Sequence, residues 1–210
     1  RADGSSKYNK KWGFFPSVSA AWRVSGERWW NVNPNILSSL KIRGSWGELG
    51  NANVGVYSFI ETFNIDNLSY VIDGVSKPRI TSIPSQIPDG LTWETSRTID
   101  GGIDVGFYNG KINLTADYYV RNTLDMYTVG PTLPDTYGAS APKGNYADLV
   151  TRGFELSLSY DDSFKLGAHN LNVGFKATLA DNRSFITRYN NPTKSLGDYY
   201  VGQEIGEIWG

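Results

Sequence analysis

Few residues in this chain could carry chemistry, and their types and spacing restrict it severely. There is no cysteine and a single histidine, His169. A disulfide framework and a thiolate metal site are therefore excluded, and a histidine triad or zinc centre lacks ligands. His169 stands between two alternating segments and reads as an exposed turn residue. Three carboxylates, Asp100, Asp104 and Asp117, fall close together on one side of a paired strand. So placed, they could share a proton or hold a cation; the plainer reading is a hydrated polar wall. Glycan hydrolysis needs two carboxylates poised across a cleft, and loose aspartates are no sign of that. The expectation is a non-enzyme with no metal and no cofactor. Twenty Lys and Arg against 21 Asp and Glu give a net charge of -1, so no basic field draws nucleic acid. Aromatic residues make up 14% of the chain. Tyr127, Tyr137 and Asn145 lie in a Pro- and Gly-punctuated stretch and are the candidate ligand contacts, the two tyrosines by stacking on a ring.

These residues are positioned by strands. Thr98 to Arg121 reads as one long hairpin around Asn109-Gly110, a dipeptide that suits a turn needing φ > 0 at both central positions. A two-residue loop pairs Tyr108 with Lys111. It then sets Phe107 against Ile112, Val105 against Leu114, Ile103 against Ala116, Gly101 against Tyr118 and Ile99 against Val120. All five pairs share one uncharged face, where Tyr118 is placed to cover Gly101. Asp100, Asp104, Asp117 and Arg121 fall on the other face, and a slip of one residue would destroy the separation. Both arms have the roughly 9–11 residues of a membrane-spanning strand rather than the usual 5–6.

Four more segments alternate in the same way: Ser17–Val24, Leu40–Trp46, Phe154–Asp161 and Leu171–Leu179. Across all six, one face carries no charge. The opposite face carries Arg43, Asp100, Asp104, Asp117, Arg121, Glu155 and Lys176, among others, which are the candidate lumen-facing polar residues. Trp22, Trp46, Tyr118 and Tyr160 sit on the apolar face, where an interfacial aromatic girdle would place them. Within Gly47–Thr92 the register is not readable, although Val56–Phe63 and Ser69–Ile72 have the composition of short strands. The connections Ser25–Ser39, Tyr108–Lys111 and Asp162–His169 are short. Gly47–Thr92, Asn122–Thr151 and the stretch from Asp181 are long and loop-like.

Short turns at one end, long loops at the other and an uncharged outer face describe an antiparallel up-and-down transmembrane β-barrel, of which six strands are a part. No run approaches the 18 apolar residues of a helical span. A soluble carbohydrate-binding β-sandwich also alternates and also keeps charge from its core face; it is the alternative.

Several stretches resemble the SusC/RagA family of TonB-dependent outer-membrane transporters. They are Phe14-Phe15-Pro16-Ser17-Val18-Ser19-Ala20-Ala21-Trp22-Arg23, then Leu40-Lys41-Ile42-Arg43-Gly44-Ser45-Trp46-Gly47-Glu48-Leu49-Gly50-Asn51, then Trp93-Glu94, Asp117-Tyr118-Tyr119, Arg152-Gly153-Phe154-Glu155-Leu156 and Gly206-Glu207-Ile208-Trp209-Gly210. The resemblance implies that residues 1–210 are a later part of a barrel of about 22 strands, with the plug domain and terminal strand absent from this stretch. It further implies location in the outer membrane of a Gram-negative bacterium and TonB-driven uptake of oligosaccharides or peptides. The implied partners are a SusD-like surface lipoprotein acting as a lid, TonB through the absent plug, and outer-membrane lipid. Tyr127, Tyr137 and Asn145 would then face ligand or lid, and deletion of Leu133–Gly144 would test that.

Overall fold

The computed structural model describes residues 12–51, 63, 65–67, 69–71, 74–75, 78–81, 86–87, 91–167, 169–192 and 194–208. Six strands form one antiparallel sheet: β1 Ser17–Trp22, β2 Ser39–Asn51, β5 Glu94–Phe107, β6 Ile112–Val129, β7 Lys143–Leu166 and β8 His169–Arg188. They lie in the order β1-β2-β5-β6-β7-β8, so each long strand pairs with its sequence neighbour. Between β2 and β5, a separate two-stranded ribbon is made by β3 Ile65–Asn67 and β4 Arg79–Thr81.

The hairpin register is the one its alternation dictates. Phe107 pairs with Ile112, Val105 with Leu114, Ile103 with Ala116, Gly101 with Tyr118 and Ile99 with Val120. At the turn, Asn109 (φ 57°, ψ 32°) and Gly110 (φ 84°) are both left-handed, and Lys111 N donates to Tyr108 O at 3.2 Å. Tyr108 also has a positive φ of 50°, so the ladder stops one residue earlier, at Phe107 and Ile112. Tyr118 does not cover Gly101: nothing lies within 4 Å of where a Cβ on Gly101 would be.

Most strands run further than alternation alone suggests. β2 extends past Trp46 to Asn51, in register with β5 throughout. The stretch Asn122–Thr151 is mainly strand, with only residues 130–142 between β6 and β7. The pairing of these two strands shifts at Thr123/Met126 and again at Met126/Tyr127, and Asp125 there has φ 55°. Such bulges break the two-residue period on which a sequence reading depends. β7 likewise runs through Asp162–Leu166, paired with β8 as far as Leu166 opposite His169, and the chain turns at Gly167 with φ +63°. β8 continues past Asp181 to Arg188. The first strand is shorter than expected: it ends at Trp22, and Val24–Gly26 forms a 3-10 turn with Val24 buried. Ser69–Val71 is not strand, and residues 56–62 and Ile72 lie outside the described residues.

Among the described residues the apolar face has no second layer over it. Ile99 and Tyr118 are each 54% exposed, and Phe175 is 62% exposed. A β-sandwich buries this face against another sheet, and here the six strands make a single sheet. The only buried cluster among the described residues is at the long-loop end: Ala147, Ile186 and Tyr189, flanked by Met126, Tyr146, Leu149 and Tyr199.

Candidate functional site

On the polar face, β2, β5 and β6 bring three of the expected residues together. Arg43 Nε donates to Asp104 at 3.1 and 3.3 Å, and Arg43 Nη2 donates to Asp117 Oδ2 at 2.8 Å. Thr115 Oγ1 donates to Asp104 Oδ1 at 3.3 Å, and Lys41 Nζ lies 3.6 Å from the same carboxylate. Two cations and two carboxylates thus compensate each other across three strands. Gly102 makes the arrangement possible: a Cβ there would sit 2.1 Å from Asp117 Oδ1 and 3.1 Å from the Arg43 guanidinium. With Arg43 between them, the two aspartates are salt-bridge partners rather than a proton-sharing pair.

The other polar-face candidates stand apart. Arg121 lies over the Tyr119 ring, 5.6 Å from its centroid. Asp100 is opposite Ser45 and Tyr119, Glu155 is opposite Asp117 and Ala180, and Lys176 is opposite Ser159. Among the described residues, Asp100, Glu155 and Lys176 form no ion pair. His169 is exposed at the start of β8, opposite Leu166.

Charged pairs bound the apolar band on the opposite face. At the long-loop end Arg97 Nη2 lies 2.7 Å from Glu48 Oε1. At the short-turn end Lys111 Nζ lies 2.7 Å from Asp162 Oδ2. Between these levels β6 presents Ile112, Leu114, Ala116, Tyr118 and Val120, and β7 presents Phe154, Leu156, Leu158 and Tyr160.

The long-loop end is braced. Asn145 is a strand residue of β7, not a loop residue. Its Oδ1 accepts from Thr92 N at 2.9 Å, and its Nδ2 donates to Thr92 O at 3.1 Å and Asp125 O at 2.6 Å. The amide ties the approach to β5 onto the bulge of β6. Tyr127 is also in a strand, its backbone N donating to Glu94 Oε2 at 3.3 Å. Tyr137 is in the loop as expected, in the turn Asp135–Tyr137, with its hydroxyl donating to Gln86. Tyr146 lies among these rings; burial chiefly, then the proximity of Tyr127 and Tyr137, pushes its phenol pKa up.

Residues after β8 complete this end, and alternation held no signal for them. Residues 202–205 fold back on the strand: Gly202 N donates to Ile186 O at 2.8 Å, Ile186 N to Gln203 O at 2.9 Å and Ile205 N to Ser184 O at 2.8 Å. Asp198 accepts from Thr132 N at 3.1 Å and from Thr132 Oγ1 at 2.8 Å. Tyr189 donates to Val129 O at 3.1 Å, and burial raises its pKa. Between residues 128–141 and 189–203 lies an open cleft of about 670 Å³, with Thr132, Leu133, Leu196, Asp198, Tyr199 and Gln203 on its walls. Below it Arg188 holds Asp148 at 2.7 Å and Asp125 at 2.8 Å. Those bonds from Arg188 keep the Asp148 carboxyl below the usual range despite its partial burial.

The sequence matches the family described as "TonB dependent receptor-like, beta-barrel" over residues 1–205. It is 32% identical to TonB-dependent receptor P3 of Formosa agariphila over 161 residues, covering 76% of this chain and 16% of that protein. It is 31% identical to TonB-dependent receptor SusC of Bacteroides thetaiotaomicron, again over 76% of this chain and 16% of that protein. Among solved structures, the RagAB peptide importer in its closed-closed state superposes with a TM-score of 0.73 at 25% identity, over 91% of this chain and 20% of that one. The RagAB peptide transporter superposes at 0.70 and 26% identity. The chain thus spans a fifth or less of the relatives it matches.

Proposed function

The chain belongs to the TonB-dependent receptor β-barrel family, and from that premise we propose that it forms part of the wall and outer loops of an outer-membrane nutrient importer. The relatives of this family are receptors and transporters, not enzymes. The cargo would be an oligosaccharide or a peptide, since SusC is one relative and a peptide importer another. A SusD-like surface lipoprotein would act as lid, and TonB would deliver energy through a plug outside this stretch. Residues 1–210 would all lie in the barrel domain, in a Gram-negative outer membrane.

One observation carries this reading: an apolar band that is uncharged on β2, β5 and β6 between the Glu48–Arg97 and Lys111–Asp162 pairs and on β7 from Phe154 to Tyr160, and that none of the described residues covers. Lipid is the solvent that suits such a band, because a midplane charge there costs about 2–4 kcal/mol. The polar face with Arg43, Asp104 and Asp117 would then line the lumen, with Asp100, Arg121, Glu155 and Lys176. The long-loop end would meet cargo or lid, Tyr137 and the cleft beside Tyr199 being the surfaces offered. Because Lys143 and Gly144 belong to β7, the loop deletion that tests this is Leu133–Ala141. Made in the complete protein, it should impair uptake or lid binding while the barrel still assembles in the outer-membrane fraction. Loss of assembly without any separable binding defect would refute the loop's proposed role.

A further inference from the structure

Towards the long loops the apolar face carries a charge arrangement that the proposed lining of the lumen does not include. Continuing the alternation of Leu158, Leu156 and Phe154 along β7 towards the long loops brings Arg152 outward. Continuing that of Phe175, Ala177 and Leu179 along β8 brings Asp181 and Arg183 outward. Arg152 and Arg183 are directly opposite each other in the register, and both are exposed. Like charges directly opposite across a strand pair, with Cβ atoms about 4.5–5.5 Å apart, destabilise a sheet unless something neutralises them. Val120 is the β6 neighbour of Arg152, and Phe154 stands opposite Asp181 one step nearer the apolar band. The pair therefore sits at the border of that band, on the long-loop side.

The chain's own carboxylates do little to relieve it. Arg183 Nε is 3.9 Å from Glu204 Oε1, an exposed contact at the limit of ion pairing and worth little. Among the described residues Arg152 has no ion-pair or hydrogen-bond partner, and Asp181 makes no ion pair. Asp181 lies on the band side, so an anion would be received from the loop side.

We propose that Arg152 and Arg183 together bind the phosphate of a lipid headgroup in the outer leaflet. Two adjacent guanidinium groups offer paired N–H forks, the geometry that phosphate takes up most strongly. In a barrel of this layout the long loops are extracellular, so the border they share with the apolar band is the outer headgroup level. A free anion would have no reason to favour residues flanked by Val120 and Phe154; a phosphorylated lipid does, because its chains lie along the band. This inference rests on the outer-membrane reading above.

The test uses the complete polypeptide that carries this chain, purified in detergent from the outer membrane and stripped of lipid. Binding of phosphorylated lipid A, of dephosphorylated lipid A and of inorganic phosphate is followed by native mass spectrometry. Phosphorylated lipid A should bind at least about tenfold more tightly than the dephosphorylated form. The double variant Arg152→Gln, Arg183→Gln should lose that preference, and each single variant should lose part of it. Lys165→Gln, at the opposite end of β7, should bind like the wild type. Should the double variant fail to assemble, the single variants decide. Unchanged preference in properly assembled variants would overturn the proposal, and inorganic phosphate binding as tightly as lipid A would overturn the lipid source. Recovery of the protein from the soluble fraction would instead refute the membrane reading itself.

Discussion

At the scale of single residues, Gly102 and Asp148 carry the sharpest expectations. Gly102 is the slot through which Arg43 and Asp117 meet, so Gly102→Ala forces the Asp117 carboxylate away from a Cβ 2.1 Å distant. Overpacking of this kind costs about 1–3 kcal/mol, and the folded barrel of the complete protein should melt or unfold in denaturant correspondingly earlier. Gly101, its neighbour, faces open space, and Gly101→Ala should be nearly neutral in the same assay. Asp148 gives a pH dependence. Its folded pKa is depressed by Arg188, so its contribution is present above the unfolded value of about 3.9 and is lost as pH falls through the lower folded value. Proteolysis of the segment after β8 should therefore rise below about pH 4. In Asp148→Asn, cleavage should already be raised at neutral pH and should lose that part of its acid dependence.

At the scale of elements, the long connections are held to the strands by side-chain amides and carboxylates as well as by the small cluster around Ala147, Ile186 and Tyr189. Asn145 joins Thr92 to the β6 bulge, Asp198 holds Thr132, and Asn191 accepts from Ser195 N at 3.0 Å and donates to Tyr199 O at 2.9 Å. Replacing Asn145 by Leu leaves the backbone groups of Thr92 and Asp125 without their side-chain partner. Each such loss costs about 1–3 kcal/mol. The expected result is faster amide exchange around Thr92 and Asp125 with little change in β5–β6 pairing near Ile103 and Ala116. Uniform acceleration across the sheet would mean that Asn145 supports the whole barrel instead.

At the scale of the whole molecule, the two faces of the sheet should respond to charge in opposite ways. Ala116 is near the middle of the apolar band on β6, and Thr115 beside it faces the polar side with Asp104. Ala116→Arg should cost about 2–4 kcal/mol in a membrane and reduce assembled barrel in the outer-membrane fraction. Thr115→Arg should be tolerated much better, because a hydrated interior solvates the charge. Equal tolerance at both positions would remove the case for lipid contact.

The central hairpin was legible because three local rules agree: Asn-Gly in the turn, a strict two-residue period and an uncharged set of partners. The six-strand count and the shared polar face follow from the same rules, but the alternation of short with long connections does not hold: residues 23–38 between β1 and β2 outnumber residues 130–142 between β6 and β7. The real ends of β6, β7 and β8 were not legible. Bulges at Thr123–Tyr127 and a register shift beside Asp148 reverse which residues face which way, so the alternation vanishes where the strands continue. Asn145 and Tyr127 looked like loop residues for that reason. The Arg43–Asp104–Asp117 contact joins positions up to 74 apart, and nothing local to any of them announces it. The amino-acid sequence by itself determined the alternation, the hairpin register and the family, since each is written in neighbouring residues. Only the tertiary structure decided which polar groups neutralise one another and which stand free at the border of the apolar band, because those pairings depend on bulges and on register between strands distant in sequence.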